Sequence, residues 1–279
     1  MSKKSIINIL MRSYFGMPGL PIVDQTVSFY YPDSEENWHK NKHKTRYTNT
    51  DITYKLNSYG LRSDEFNDAL NYKKRVMFIG CSHTFGIGLP LESVWAYQFY
   101  KLLQKENLAD CGFYNLSYGG QSTDYVSRVV CNVISTIQPH AIFCAIPEFS
   151  RREFSMNKHV GPYVFRDEKQ YQILLDDDHI RYQTQKNLMM IDLACEKYNT
   201  KFYFAQSYCN KSANRFQILN INNLQNVFEY DLYFEVRDFA RDCMHYGHST
   251  HETYAQKFYD LCKGDLANHF QSYMQANQS

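Results

Sequence analysis

The chain predicts an α/β fold: a mostly parallel sheet with helices on both faces, in three layers. Three observations lead there. Short apolar runs at Arg75–Gly80, Phe113–Leu116, Ala141–Ile146 and Lys201–Ala205 have the length and composition of buried strands. Stretches of helical periodicity separate them, which is the alternation of a parallel sheet with crossover helices. With 279 residues, 44% of them hydrophobic, the chain can bury a core for one large domain or two small ones.

Taken in order, residues 1–70 read as an N-terminal arm packed on a main domain that spans 71–279. Pro18, Pro21 and Pro32 punctuate the arm, and the basic run from Glu36 to Tyr47 reads as a solvated loop. Asp51–Leu56 alternates like a half-buried strand. Asn57-Ser58-Tyr59-Gly60 is a turn signal, followed by Leu61-Arg62. The first strand of the main domain, Arg75–Gly80, breaks at glycine. Leu91–Glu106 carries Val94, Tyr97 or Gln98, and Leu102 at helical spacing, so it reads as a helix.

The second strand ends in Ser117-Tyr118-Gly119-Gly120. Gln121 to Asp124 then offers N-cap residues for a helix with Val126, Val129, Val130, Val133, Ile134 and Ile137 on one face. Pro139 stops it, and Ala141–Ile146 is the third strand. Beyond Pro147 the alternation breaks. Tyr163–Phe165 and Tyr171–Leu175, around the charged Arg166–Lys169, predict a hairpin inserted near 160–176. Asp178–Lys197 predicts a long helix and Lys201–Ala205 the fourth strand. Asn210–Tyr233, rich in Asn and Gln, reads as loop and short helix. Asp242–Thr250 is a polar loop leading into a last helix, Glu252–Phe270.

The net charge of +1 gives no electrostatic reason for nucleic acid or an anionic membrane as partner. Aromatic residues make up 16% and include 24 tyrosines, which ordinary cores accommodate without a carbohydrate-facing surface. The eight cysteines are scattered with no CxxC pair, as expected of free thiols in a cytoplasmic protein. The apolar patch Ile6–Met11 is short for a signal sequence, is closed by Arg12 and lacks a small-residue cleavage site. No run approaches the length of a membrane span.

Three polar loops stand out: Gly80–Gly88, Asn115–Ser122 and Asp242–His251. In open α/β sheets ligands bind outside the carboxyl ends of strands. Acyl transfer needs a nucleophile, a base, a group that orients the base, and donors for the oxyanion. Ser82, presented where a strand ends at Gly80, is the candidate nucleophile. Asp242 and His245, three residues apart, are candidate orienter and base, since a local turn brings the carboxylate to its own histidine's Nδ1. Gly120 has no side chain to keep an oxyanion from its N–H, and the N–H of Ser82 is a second donor. Cys81 sits where the strand end turns it inward, so the serine is preferred over the thiol. His83, Glu148, Ser150 and Arg151 are candidate substrate contacts. His245, His248 and His251, with Cys243 nearby, have a spacing seen in zinc sites, but no second ligand pair accompanies them. No metal or organic cofactor is expected.

The Ser82 stretch is not the GxSxG elbow of α/β-hydrolases. With these motifs in view, the chain resembles the SGNH (GDSL-like) hydrolase family from about Asn57 to Phe258. Gly80-Cys81-Ser82 is similar to that family's first block, with Cys81 in place of the usual Asp. Asn115–Ser122 is similar to the second, with Gly120 at the oxyanion glycine, and Asp242-Cys-Met-His245 to the last. Asn57–Phe66 resembles a lead-in to the first strand. The resemblance implies a three-layer α/β/α domain with a flavodoxin-like sheet. It also implies a serine esterase for small acyl esters, including O-acetyl groups on carbohydrate, or an acyltransferase using the same residues. The family's third block carries an Asn oxyanion donor. Here the segment reads Ile146-Pro-Glu148-Phe-Ser150-Arg151, so either Ser150 or Arg151 substitutes or the site uses only two donors. A lost donor costs about 10²–10³ in rate. The departure keeps a non-catalytic ligand-binding protein of the same fold as an alternative.

Overall fold

A computed structural model describes residues 23–149, 151–156, 159–163, 177–207 and 223–276. The first elements belong to the segment ahead of the main sheet. Strands β1 (Thr26–Val27) and β2 (Tyr54–Lys55) pair antiparallel. Between them α1 (Glu35–Asn41) occupies part of the basic run read as loop. Its helical start is a local effect: the Ser34 hydroxyl accepts the Asn37 N–H, and Glu35 and Glu36 sit in the first turn. The face toward the main domain is aromatic, with the Tyr30 ring centroid 4.6 Å from that of Phe85.

The main sheet starts at β3 (Val76–Gly80), buried throughout. A single helical turn, α2 (Ser82–Phe85), and then α3 (Trp95–Lys105) follow. Next come β4 (Tyr114–Asn115), α4 (Thr123–Ile137) and β5 (Ala141–Ile146). Ser122 caps α4 by accepting the Tyr125 N–H, and the six aliphatic residues of the predicted face are all buried. Burying a side chain of that size contributes about 1.5–3 kcal/mol before entropy is counted.

A hairpin is inserted after β5, formed by β6 (Arg152–Met156) and β7 (His159–Tyr163). It lies earlier in the chain than the expected pair of arms; Tyr171–Leu175 falls outside the described residues. Among the described residues its two strands pair only with each other, so Pro162 withdraws no N–H from a central ladder. The chain then runs through α5 (Asp177–Tyr198), β8 (Lys201–Gln206), β9 (Val227–Glu229) and α6 (His248–Ala276). Two further elements differ from the sequence reading. Strand β9 lies in the stretch read as loop and short helix, and α6 begins inside the predicted polar loop.

All five main strands are parallel, in the order β4-β3-β5-β8-β9. Counted along the sheet's own strands this is second-first-third-fourth-fifth, the flavodoxin-like order. Helices α3 and α6 pack together, as do α4 and α5, which gives a helical layer on each side. The core is aromatic: Phe78 and Phe143 of the sheet meet Trp95 and Phe99 of α3 and Phe258 of α6. The order reverses between β3 and β5, so the switch-point crevice opens at the carboxyl end of β3, where Ser82 stands. Among the described residues no helix is long and apolar enough to cross a membrane, and the seven cysteines there are unpaired.

Candidate active site

Ser82 is the first residue of α2, so its N–H has no acceptor within the helix. It is 5% exposed, and its hydroxyl donates to Cys81 Sγ at 3.9 Å. The loop that follows is held from several sides. Asn115, at the end of β4, donates from Nδ2 to Thr84 O at 2.8 Å. Arg62, fully buried, donates to Gly86 O at 2.8 Å, Leu89 O at 2.9 Å and Thr53 O at 3.1 Å. Its guanidinium also covers the Tyr54 ring at 4.7 Å. Burial lowers the Arg62 pKa to about 10, with Tyr54, Glu92 and Asp33 opposing the shift, which leaves the group charged at neutral pH.

Asp242 and His245 lie in the turn ahead of α6. Asp242 is fully buried. Its Oδ2 is 2.5 Å from His245 Nδ1, and its Oδ1 accepts the N–H groups of Met244 and His245, each at 3.1 Å. A carboxylate that takes the amides two and three residues on closes a tight turn. Here the turn also needs Cys243 at φ +56, a left-handed conformation uncommon for a residue with a side chain. The imidazole is thus oriented through Nδ1 by its own neighbour.

The two loops are in contact. Gly88 O accepts the Arg241 N–H at 2.9 Å, and the His83 ring lies 5.2 Å from that of His245. His83 is itself buried and stacked on Tyr246 at 4.5 Å. Burial above all, then the charges of His245, His251 and Arg151, holds its pKa well below the usual value, so it is neutral. The structure joins Ser82 and His245 by no hydrogen bond among the described residues. Catalytic hydrogen bonds are often loose before substrate binds.

Gly120 follows β4 in a third loop that leans on the first. A Cβ on Gly119 would lie 3.0 Å from Ile87, and the Tyr118 and Phe85 rings are stacked at 6.3 Å. Gly120 is exposed, at φ +72, with nothing near its would-be Cβ. After β5, Glu148 pairs with Arg151 at 3.6 Å. Ser150 falls outside the described residues. His248 and His251 point elsewhere than His245. His248 Nδ1 is 3.0 Å from Ser93 Oγ, and His251 Nδ1 accepts the Trp95 N–H at 3.0 Å. Among the described residues no group of acids, histidines and cysteines is arranged to hold a metal ion.

The residues that fix these loops were not singled out in the sequence. Arg241 directly precedes Asp242 but has no motif of its own, and Asp33 and Tyr54 lie far away in the chain. Arg62 and Asn115 alone had a signal, their places in the Asn57–Phe66 lead-in and in the Asn115–Ser122 loop.

The molecule is therefore a three-layer α/β/α protein with a flavodoxin-like sheet, carrying a serine loop and an Asp–His turn at the switch point. No family model and no curated protein matches the chain. Among solved structures it is similar to TesA, at 12% identity and a TM-score of 0.48 over 68% of this chain and 98% of that one. It is similar to a family 3 carbohydrate esterase of Clostridium thermocellum, at 13% and 0.48 over 69% and 96%. A third is the psychrotrophic esterase EstA from Pseudoalteromonas sp., at 12% and 0.47 over 70% and 99%. At such distances the activity has to be argued from this chain's own residues.

Proposed function

We propose that the protein is a serine esterase acting on small acyl esters, including O-acetyl groups on carbohydrate. The observation that carries this reading is the 2.5 Å contact between Asp242 and His245 Nδ1, on a turn packed against the loop of Ser82. In the scheme, Ser82 Oγ attacks the ester carbonyl as His245 Nε2 takes its proton. Asp242 holds the imidazole tautomer and stabilises the imidazolium. The N–H groups of Ser82 and Gly120 receive the oxyanion. Collapse of the tetrahedral adduct breaks the ester C–O bond, and His245 returns the proton to the leaving alcohol. Water then attacks the acyl-serine by the same route. With a second alcohol in place of water, the same residues would perform acyl transfer. His83, Glu148, Ser150 and Arg151 border the substrate in this scheme.

A second reading has its own support. Ser82 is hydrogen-bonded to Cys81 and not to His245, and the segment that resembles the family's third block carries Glu148 and no Asn. These features suit a protein that binds an ester or glycan without turning it over. Two assays separate the readings. A fluorophosphonate probe should label the wild type and leave Ser82→Ala unlabelled. His245→Ala should lower kcat on p-nitrophenyl esters by about 10³-fold or more. Folded wild type that neither labels nor hydrolyses p-nitrophenyl esters or acetylated glycans would leave the binding reading standing.

A further inference from the structure

Behind the Asp242 turn lies a buried ion pair that joins distant parts of the chain. Asp33 and Arg241 are both inaccessible to solvent. Arg241 Nε donates to Asp33 Oδ1 at 3.0 Å and Nη2 donates to Oδ2 at 2.6 Å. The same guanidinium donates to the Asn49 carbonyl at 3.0 Å and to the Ser28 carbonyl. The Asp33 carboxylate has another donor: Tyr54 Oη gives its proton to Oδ2 at 2.5 Å. The Tyr54 oxygen in turn accepts the Gly88 N–H at 2.7 Å. Gly88 closes the loop that starts at Ser82, and Arg241 is bonded to Asp242. One carboxylate, 208 residues from Arg241 in sequence, thus ties the end of the serine loop to the residue beside Asp242.

A buried ion pair is weak evidence for stability, because desolvation offsets most of its attraction. It does fix geometry, since Arg presents a rigid planar fork of donors. Here the fork is satisfied by a carboxylate and three carbonyls, the third being Ile52 O at 3.5 Å, all from residues 28–52. Arg241 is held at its backbone as well, through its N–H to Gly88 O at 2.9 Å. The Cys243 thiol adds a contact to Asn41 O at 3.5 Å. Every one of these partners except Gly88 comes from the segment ahead of the main sheet.

From this we infer that Asp33, with Tyr54 and Arg241, is a positioning residue for the Asp242–His245 pair: the N-terminal arm completes the active site from behind. The inference rests on the esterase reading for its kinetic consequence, but the geometry it sets can be read without turnover. A short N–H···O bond deshields its proton, so the His245 Nδ1–H should give a far-downfield proton resonance, absent in Asp242→Asn.

The test compares wild type with Tyr54→Phe, which loses one hydroxyl, and with Asp33→Asn, in the full-length protein. Near-ultraviolet circular dichroism shows whether each variant is folded. Folded variants should have a weakened or displaced resonance. They should label with the fluorophosphonate at least tenfold more slowly, and lower kcat on p-nitrophenyl acetate tenfold with KM changed less than twofold. If Asp33→Asn does not fold, Tyr54→Phe carries the comparison. A resonance unchanged in a folded variant, or missing from the wild type, overturns the inference. A wild type with the resonance but no labelling and no turnover would remove the esterase reading, while the resonances of the variants would still decide the positioning role.

Discussion

Gly88 shows how little tolerance the site has at the level of single residues. A Cβ there would lie 2.8 Å from Ala240 Cβ, 3.1 Å from the Arg241 nitrogen and 3.1 Å from Asp242 Oδ1, and the residue holds φ +74. The two loops approach each other where one of them has no side chain. Gly88→Ala must therefore push the Asp242 turn away from the serine loop and strain the backbone, at about 1–2 kcal/mol for the left-handed conformation alone. The expected outcome is a folded protein, less stable by urea titration, whose fluorophosphonate labelling falls by more than tenfold. Unchanged labelling would mean that the two loops need not touch. Gly120 is the contrasting case: it shares the left-handed φ but has open space around it, so its substitution would strain the backbone without a clash.

At the level of elements, the departures at β9 and at the start of α6 have physical causes. Strand β9 is three residues long, carries Glu229 and lies at the sheet edge, so neither length nor alternation marks it. Its pairing is decided by β8, whose Tyr203 stacks on Phe228 at 5.3 Å. The start of α6 is fixed by Asp238, whose carboxylate accepts the N–H groups of Ser249 at 3.1 Å and Thr250 at 3.0 Å. A cap that lies ten or more residues upstream escapes any search of adjacent positions.

Glu229 also has a consequence for stability. Burial first, then the nearby Asp231, raises its pKa from 4.5 to about 7. The unfolded chain releases this proton near 4.5 and the folded protein keeps it until about 7, so stability is lost as the pH rises through that window. Glu229→Gln should be more stable than wild type at pH 8, by about 1–2 kcal/mol after allowance for partial solvation, and nearly equal to it at pH 4.5. Denaturant titrations at the two pH values check this; a variant no more stable at pH 8 would refute it.

For the whole molecule, acid should be destabilising through the buried histidines. Burial is the first cause in each: it lowers His140 from 6.5 to about 4 and His251 to about 3, and holds His83 well below its usual value. The unfolded chain takes up protons near 6.5 that the folded protein refuses, so stability is full above that pH and declines as the pH falls toward 4. His140 alone would contribute a loss on the order of 3 kcal/mol. Its Nδ1 accepts the Arg75 N–H at 3.0 Å at the start of β3, a bond the neutral ring must make. The protein should be less stable at pH 4.5 than at pH 7, with Glu229 offsetting part of the histidine loss, and His140→Gln should narrow the gap. A gap unchanged in His140→Gln would refute the part assigned to this ring.

What the sequence determined by itself is what depends on neighbours along the chain. Apolar runs and helical periodicity specified four of the five parallel strands and the helices between them. The strand-to-glycine break set out Ser82, and a spacing of three put Asp242 within reach of His245, because a turn of that size is closed by its own side chain. The strand order was expected only through the family resemblance; the tertiary structure alone decided the rest: the edge strand β9, the cap on α6, and the packing of the Ser82 loop against Arg241 and Tyr54. Those contacts join residues far apart in sequence, whose partners are selected by burial and by the need to satisfy buried charges and amides. No local pattern records such a need.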